Sequence, residues 1–324
     1  MTILRNHDVL DIAYVTEQAA IAAYQFFGLG DEFAADKAAV SSMRNSLNSL
    51  NIHGKIVIGE GQRDNAPMLY IGEEFGSKTS EDNADYDILD IAVDPLEGTT
   101  ILSHGADSAL SVIAVAQKGT LLNAPDVYME KIAIGFQAPE DLIDLDKTPK
   151  ENLYNIAQFK QCKISDLLVT ILNRKRHEAL IKEVRDVGAR IKLIQDGDIS
   201  PIVQVAINDI HDGYTHVSMG IGGAPEGVLA AAALKCSKGQ IKSRMLFNNS
   251  NEQMLAKTMG IDNFAHQYNL QQLVSGHVYF VATGVTNGSL LKSIRKDGNQ
   301  YIANSLIMNS YDKITRKVES IYSI

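Results

Sequence analysis

The residues best able to do chemistry in this chain are carboxylates placed where a strand-like run or a glycine turn gives out. Glu60 follows the β-branched run 55–58, inside Gly59-Glu60-Gly61. Asp94 follows 91–93, with Glu97 one turn further on. Asp196 and Asp198 follow 191–194, and Glu226 follows a glycine run at a helix start. Carboxylates at strand ends project from a rigid scaffold into the crevice where α/β folds bind ligands. Several meeting at one point would repel each other strongly unless cations neutralised them. An all-oxygen ligand set suits magnesium or manganese and suits zinc or copper poorly. No thiolate or paired-histidine spacing argues for a softer metal.

Asp94-Pro95-Leu96-Glu97-Gly98-Thr99 is the sharpest of these pieces. Proline cannot donate to a strand ladder, so the chain is expected to turn directly after Asp94. Asp94 and Glu97, three apart across that turn, can then face one metal pair. Gly98 lets the backbone approach an anion closely, and the Gly98 and Thr99 amides can donate to phosphate oxygens. The Thr99 hydroxyl can orient an attacking water or touch the phosphoryl group. Read in isolation, the same residues also suit a capped turn, and Glu60 a solvated loop.

The elements that must position these groups can be sketched from periodicity. Val9, Ile12, Ala13, Ala20, Ala23 and Phe27 fall at helical intervals, closed by Gly28 and Gly30. Ala35, Ala39, Val40, Met43 and Leu47 mark a second helix, with Asp36 near its start. Strands are expected at 55–58, 87–93, 109–116 and 131–136. The acidic, polar stretch 141–152 is the best boundary between an N-terminal half, 1–150, and a C-terminal half, 151–324. Beyond it the pattern becomes β-α-β: strand 167–172, helix 176–187 ended by Gly188, strand 190–194. Gly220-Ile221-Gly222-Gly223 precedes an alanine-rich helix over 226–236, and further strands are expected at 278–282 and 301–307. The fold class is α/β or α+β, with sheets covered by helices.

Composition narrows the partners. With 39 acidic residues against 30 Lys and Arg, the net charge is −9, a sign that repels nucleic acid. An anionic substrate then needs a local cluster of cations. Two cysteines, Cys162 and Cys236, are too few for a disulfide framework and suit a reducing compartment. No run of about 20 apolar residues spans a bilayer, and the polar N-terminus lacks a leader's apolar core. A cytoplasmic, soluble protein is expected.

These motifs carry a family resemblance. Asp94-Pro95-Leu96-Glu97-Gly98-Thr99 resembles the metal-binding signature of the lithium-sensitive phosphatases, which include inositol monophosphatases and fructose-1,6-bisphosphatases. Ile58-Gly59-Glu60-Gly61 with Asp64 and 66–70, then Asp196-Gly197-Asp198, then the run from Gly220 to Gly227, are similar to the class II fructose-1,6-bisphosphatases of bacteria. The resemblance runs from about Asp8 to about Met308.

It implies a layered αβαβα sandwich, a homo-oligomer (dimer or tetramer), and manganese- or magnesium-dependent removal of the 1-phosphate of a sugar bisphosphate, fructose 1,6-bisphosphate. Carried across, the metal ligands fall on Asp36, Glu60, Asp94, Glu97 and Glu226. Substrate contacts fall on Glu97, Gly98, Thr99, Tyr128, Arg174, Lys175, Arg176, Asp196, Gly197, Asp198 and Gly223. Asp64 and Thr99 match the residues used around the attacking water. One departure is Gly28-Leu29-Gly30-Asp31-Glu32, where the family commonly ends this stretch in lysine. Asp36 and Glu226 also stand where an acid favours a helix dipole. Arg174–Arg176 also suit a solvated basic turn, and Tyr128 an ordinary half-buried ring. Sedoheptulose 1,7-bisphosphate, an inositol monophosphate, or an idle sugar-phosphate sensor are the alternative readings.

Overall fold

The computed structural model describes residues 8–61, 68–76, 88–207 and 215–323. The chain divides into two compact units, Asn123–Ser275 and the residues on either side of it, up to Leu122 and from Gly276. The 141–152 stretch lies inside the middle unit.

The outer unit is built on a mixed eight-stranded sheet. Gly54–Ile58 runs parallel to Leu89–Glu97, and Leu110–Gln117, Val278–Gly284, Gln300–Asn309 and Ile314–Ser323 follow with antiparallel pairing. Strand Val278–Gly284 is buried at every position, which is why its sequence is continuously small or apolar and does not alternate. Helices Asp8–Tyr24 and Glu32–Ser49 lay Ile12, Ala19, Ala20, Ala35 and Met43 into the same core as Ile91, Ile113 and Val281. A polar clasp fixes the first helix. Thr16 Oγ1 meets Thr283 Oγ1 at 2.7 Å, and the buried Glu17 accepts from Ser305 at 2.7 Å, Ser320 at 3.0 Å and the Tyr322 hydroxyl. A buried carboxylate is tolerable there because hydroxyl donors saturate it.

The middle unit has a six-stranded mixed sheet in the order Tyr268–Asn269, Gln240–Leu246, Tyr128–Ile134, Thr215–Gly223, Leu167–Leu172, Arg190–Ile194. Its last three strands are parallel and the others antiparallel. Leu153 and Ile156 of helix Pro149–Lys160 and Val184 of Glu178–Asp186 pack with Val169 and Val217. Helix Ala224–Cys236 is almost wholly buried, as its all-round apolar sequence requires. The mixed α/β class is as expected.

Two local expectations are corrected. The strand does not stop at Asp94 but continues through Pro95 to Glu97. Asp94 pairs with Val112 and Glu97 with Leu110, so a bulge absorbs one residue. On the other side, pairing with Gly54–Ile58 has already ended at Ala92, so the missing proline N–H is not needed. The glycine run Gly220–Gly223 is likewise not a turn. It is the end of strand Thr215–Gly223, paired with Tyr128–Lys131.

Candidate active site

In the outer unit the bulge sets the acids. The Leu96 amide donates to Asp94 Oδ1 at 3.1 Å, Asp94 is half-buried, and Glu97 is only 4% exposed. Gly98 then takes φ +88 and caps the short helix Thr99–Ser103. A Cβ there would be both strained by the left-handed backbone and 2.9 Å from Ile101 Cδ1. Thr99 is thus the first residue of a turn held rigidly behind the acids.

Glu60 is placed by backbone alone. Its amide donates to Leu69 O at 3.0 Å, and Ile71 N donates to Gly61 O at 2.9 Å. Leu69, fully buried, adopts φ +54 to make this return, a conformation that costs a non-glycine residue energy. Asp36 lies in the second turn of Glu32–Ser49, past the turn where a helix dipole acts. Glu32 fills that first-turn role instead, and accepts from Ser103 Oγ at 3.4 Å. The departure from lysine therefore has a local reason.

Asp36 is pushed above the usual carboxylate range by burial. Glu60 reaches solvent, yet the protein around its carboxyl and, secondarily, the Asp36 charge push it up to about 7. Two carboxylates raised in this way are short of positive charge, and their donor atoms are all oxygen. That fits a hard divalent ion. Among the described residues, no three His, Cys, Asp or Glu side chains stand close enough together to hold an ion as they are. Asp64 lies outside the described residues.

The middle unit gathers the other predicted residues into two groups. In the first, Arg176 donates from Nε and Nη2 to Ile221 O at 3.2 and 2.9 Å, and its guanidinium lies 4.9 Å from the centre of the Tyr128 ring. Arg174 Nη2 donates to Asp196 Oδ1 at 3.1 Å. Lys175 is exposed on the turn between them. His177, buried, accepts from the Ile221 amide at Nε2 (2.7 Å) and so donates from Nδ1 to Leu172 O (2.8 Å). Burial lowers its pKa, and this neutral ring pins the basic turn against the glycine strand.

In the second group, Asp198 is bound by Lys131, which also donates to Gly223 O at 2.9 Å. The glycines are explained by these side chains. A Cβ on Gly222 would lie 1.6 Å from Asp198 Oδ2, and one on Gly223 would lie 1.7 Å from Glu226 Oε2. Glu226 is half-buried in the first turn of its helix, and Gly197 turns the chain between the two aspartates at φ +76. Sequence reasoning missed Lys131. A lysine after Glu130 at the head of the apolar run 132–134 gives no local signal of such a role.

Strand-end acids and a basic, glycine-backed turn on a mixed α/β scaffold are the residue types a phosphatase uses on a phosphoric monoester. The chain belongs to the bacterial fructose-1,6-bisphosphatase family, glpX-encoded, which it matches over residues 6–322. It is 40% identical over 97% of its length to the D-fructose 1,6-bisphosphatase class 2/sedoheptulose 1,7-bisphosphatase 1 of Acaryochloris marina, covering 95% of that protein. The enzyme of the same double name from Synechococcus sp. (strain JA-3-3Ab) is 41% identical, with 97% and 94% of the two chains covered. Among solved structures, the inositol monophosphatase of Anabaena (Nostoc) sp. PCC 7120 aligns over 78% of this chain and 96% of its own, at 15% identity and a TM-score of 0.38. That likeness is too slight to argue from. Among the described residues, no helix is long and apolar enough to cross a membrane.

Proposed function

We propose that the chain carries out the reaction for which its family is named, hydrolysis of fructose 1,6-bisphosphate to fructose 6-phosphate and phosphate, with its polar residues divided by task. Asp36, Glu60, Asp94, Glu97 and Glu226 hold divalent cations, manganese or magnesium. Such ions, when bound, offset the carboxylate charge, draw electron density from the phosphoryl oxygens and ease deprotonation of a water. Asp64 accepts that proton, and Thr99 orients the water through its hydroxyl. The Gly98 and Thr99 amides donate to phosphoryl oxygens. Arg174, Lys175 and Arg176 anchor the 6-phosphate, while Tyr128, Asp196, Gly197, Asp198 and Gly223 read the sugar. Remote binding of this kind orients the reacting phosphate.

The observation that carries the proposal is the Asp94–Glu97 bulge, which holds two acids and a left-handed glycine in fixed relation. Sedoheptulose 1,7-bisphosphate is a second substrate on this reading, because the relatives above carry it in their names. A homo-oligomer of two or four chains in the cytoplasm, without nucleic-acid partners, completes it. The scarcity of cysteine, two residues in 324, and the net charge of −9 support that setting. The test is phosphate release from both bisphosphates and from an inositol monophosphate, with manganese, with magnesium and with chelator. Rapid release from the bisphosphates, lost on chelation, is expected. Release indifferent to chelation, or confined to the inositol ester, overturns the proposal.

A further inference from the structure

Lys131 touches two of the residues assigned above to the sugar, Asp198 and Gly223, and nothing in the family motifs points to it. It sits in strand Tyr128–Ile134, 5% exposed, and its ammonium is bound by the Asp198 carboxylate and by Gly223 O at 2.9 Å. The Asp198 side chain is itself only 14% exposed. A buried ammonium placed between a half-buried carboxylate and a backbone carbonyl satisfies both and fixes both. Gly222 has no side chain because Asp198 Oδ2 occupies that space, with Lys131 Nζ 3.1 Å from where the Cβ would be. Lys131 and Asp198 also line a cavity of about 20 Å³ together with Thr170, His177 and Ser218, room for about one water molecule.

We propose that Lys131 is a positioning residue for sugar recognition: its ammonium, anchored on the Gly223 carbonyl, holds the Asp198 carboxylate in the orientation in which it accepts a hydrogen bond from a sugar hydroxyl. This rests on the reading of Asp198 as a sugar contact. One oxygen of Asp198 is committed to Lys131, leaving the other for a hydroxyl. Without the ammonium, the carboxylate is free to rotate. Lys131 itself does not touch substrate, so its loss acts through Asp198.

Calorimetric titration of the manganese-loaded, full-length protein tests this, with fructose 6-phosphate and inorganic phosphate as separate probes and melting curves as the check on folding. Lys131→Met is expected to weaken fructose 6-phosphate binding by about 10- to 100-fold, the range for a lost charge-assisted hydrogen bond, and to weaken inorganic phosphate far less. Lys131→Met/Asp198→Asn removes both charges of the buried pair, so it keeps the comparison open if the single variant fails to fold. Against Asp198→Asn alone, the double variant is expected to bind fructose 6-phosphate within about threefold, because coupled residues are not additive. A further tenfold loss in the double variant, or equal losses for both probes in Lys131→Met, overturns the positioning role. Should Asp198→Asn itself bind fructose 6-phosphate as tightly as the unaltered protein, the assignment of Asp198 to the sugar fails, a result distinct from failure of the Lys131 inference.

Discussion

Arg44 Nε donates to Glu73 Oε1 at 2.8 Å, and this ion pair joins the helix that carries Asp36 to the segment that closes behind Glu60. Glu73 O accepts from Ile56 N at 2.9 Å, and Gly72 N donates to Ile56 O at 2.8 Å. The segment therefore zips onto strand Gly54–Ile58, which leads to Glu60. Glu73 is 6% exposed, so removing its partner strands a buried acid. Arg44→Ala should cost about 1–3 kcal/mol of stability and also weaken manganese binding. Denaturant melts and metal titration measure the two. Unchanged metal affinity alongside lost stability would show that the pair supports the fold alone.

Asp94→Asn and Glu97→Gln should each lower turnover by about 100-fold or more, since losing even a group that only orients a metal ligand costs up to about that much. Circular dichroism should be unchanged, because the bulge is set by Pro95 and the backbone. A fully active Asp94→Asn enzyme would refute its place among the ligands.

The raised Glu60 carboxyl gives a pH signature in chelator-treated protein. A folded-state pKa of about 7 against an ordinary 4.5 means that the native state holds the proton more tightly than the unfolded chain does. Stability should therefore fall as pH rises from 4.5 through 7, and stay lowered above it. Glu60→Gln should melt higher than the unaltered protein at pH 8 under chelation, with the gap closing towards pH 5. Added manganese should reverse the order. Identical pH profiles for the two proteins would count against a charge deficit at Glu60.

Arg176 spends two of its N–H groups on Ile221 O and rests on the Tyr128 ring, which leaves a fixed edge for an anion. Arg176→Ala should raise the KM for fructose 1,6-bisphosphate by about 10- to 100-fold and raise it much less for a sugar monophosphate. Steady-state kinetics on the two substrates decides. Equal effects would take Arg176 away from the distal phosphate.

The parts of the fold legible in the sequence were those with local causes. Strand Gly54–Ile58, helix Glu32–Ser49 and strand Leu167–Leu172 were visible as apolar runs or periodicity, and the glycine-led helix stop at Gly188 was visible as a turn residue at φ +89. Pro95 misled because its cost depends on whether a neighbour needs the missing N–H, which is a tertiary fact. The glycines at 220, 222 and 223 looked like a turn because their cause is the space taken by His177, Asp198 and Glu226, residues remote in sequence. Lys131 was invisible as a functional group for the same reason: a lysine in a strand has meaning only beside Asp198. The candidate acids Asp94 and Glu97 could be proposed from the sequence because proline, glycine and carboxylate together make a local signature.

The sheet of the outer unit has a consequence for the order in which the protein assembles. Val278–Gly284 hydrogen-bonds to Leu110–Gln117 across more than 150 intervening residues, and the clasp on Glu17 draws on Ser305, Ser320 and Tyr322. During synthesis the ribosome must deliver nearly the whole polypeptide before those partners exist, while every strand of the Asn123–Ser275 unit has already emerged. The nascent chain should thus mature from its middle outwards, with the early helices waiting on chaperones or on transient company until the tail arrives.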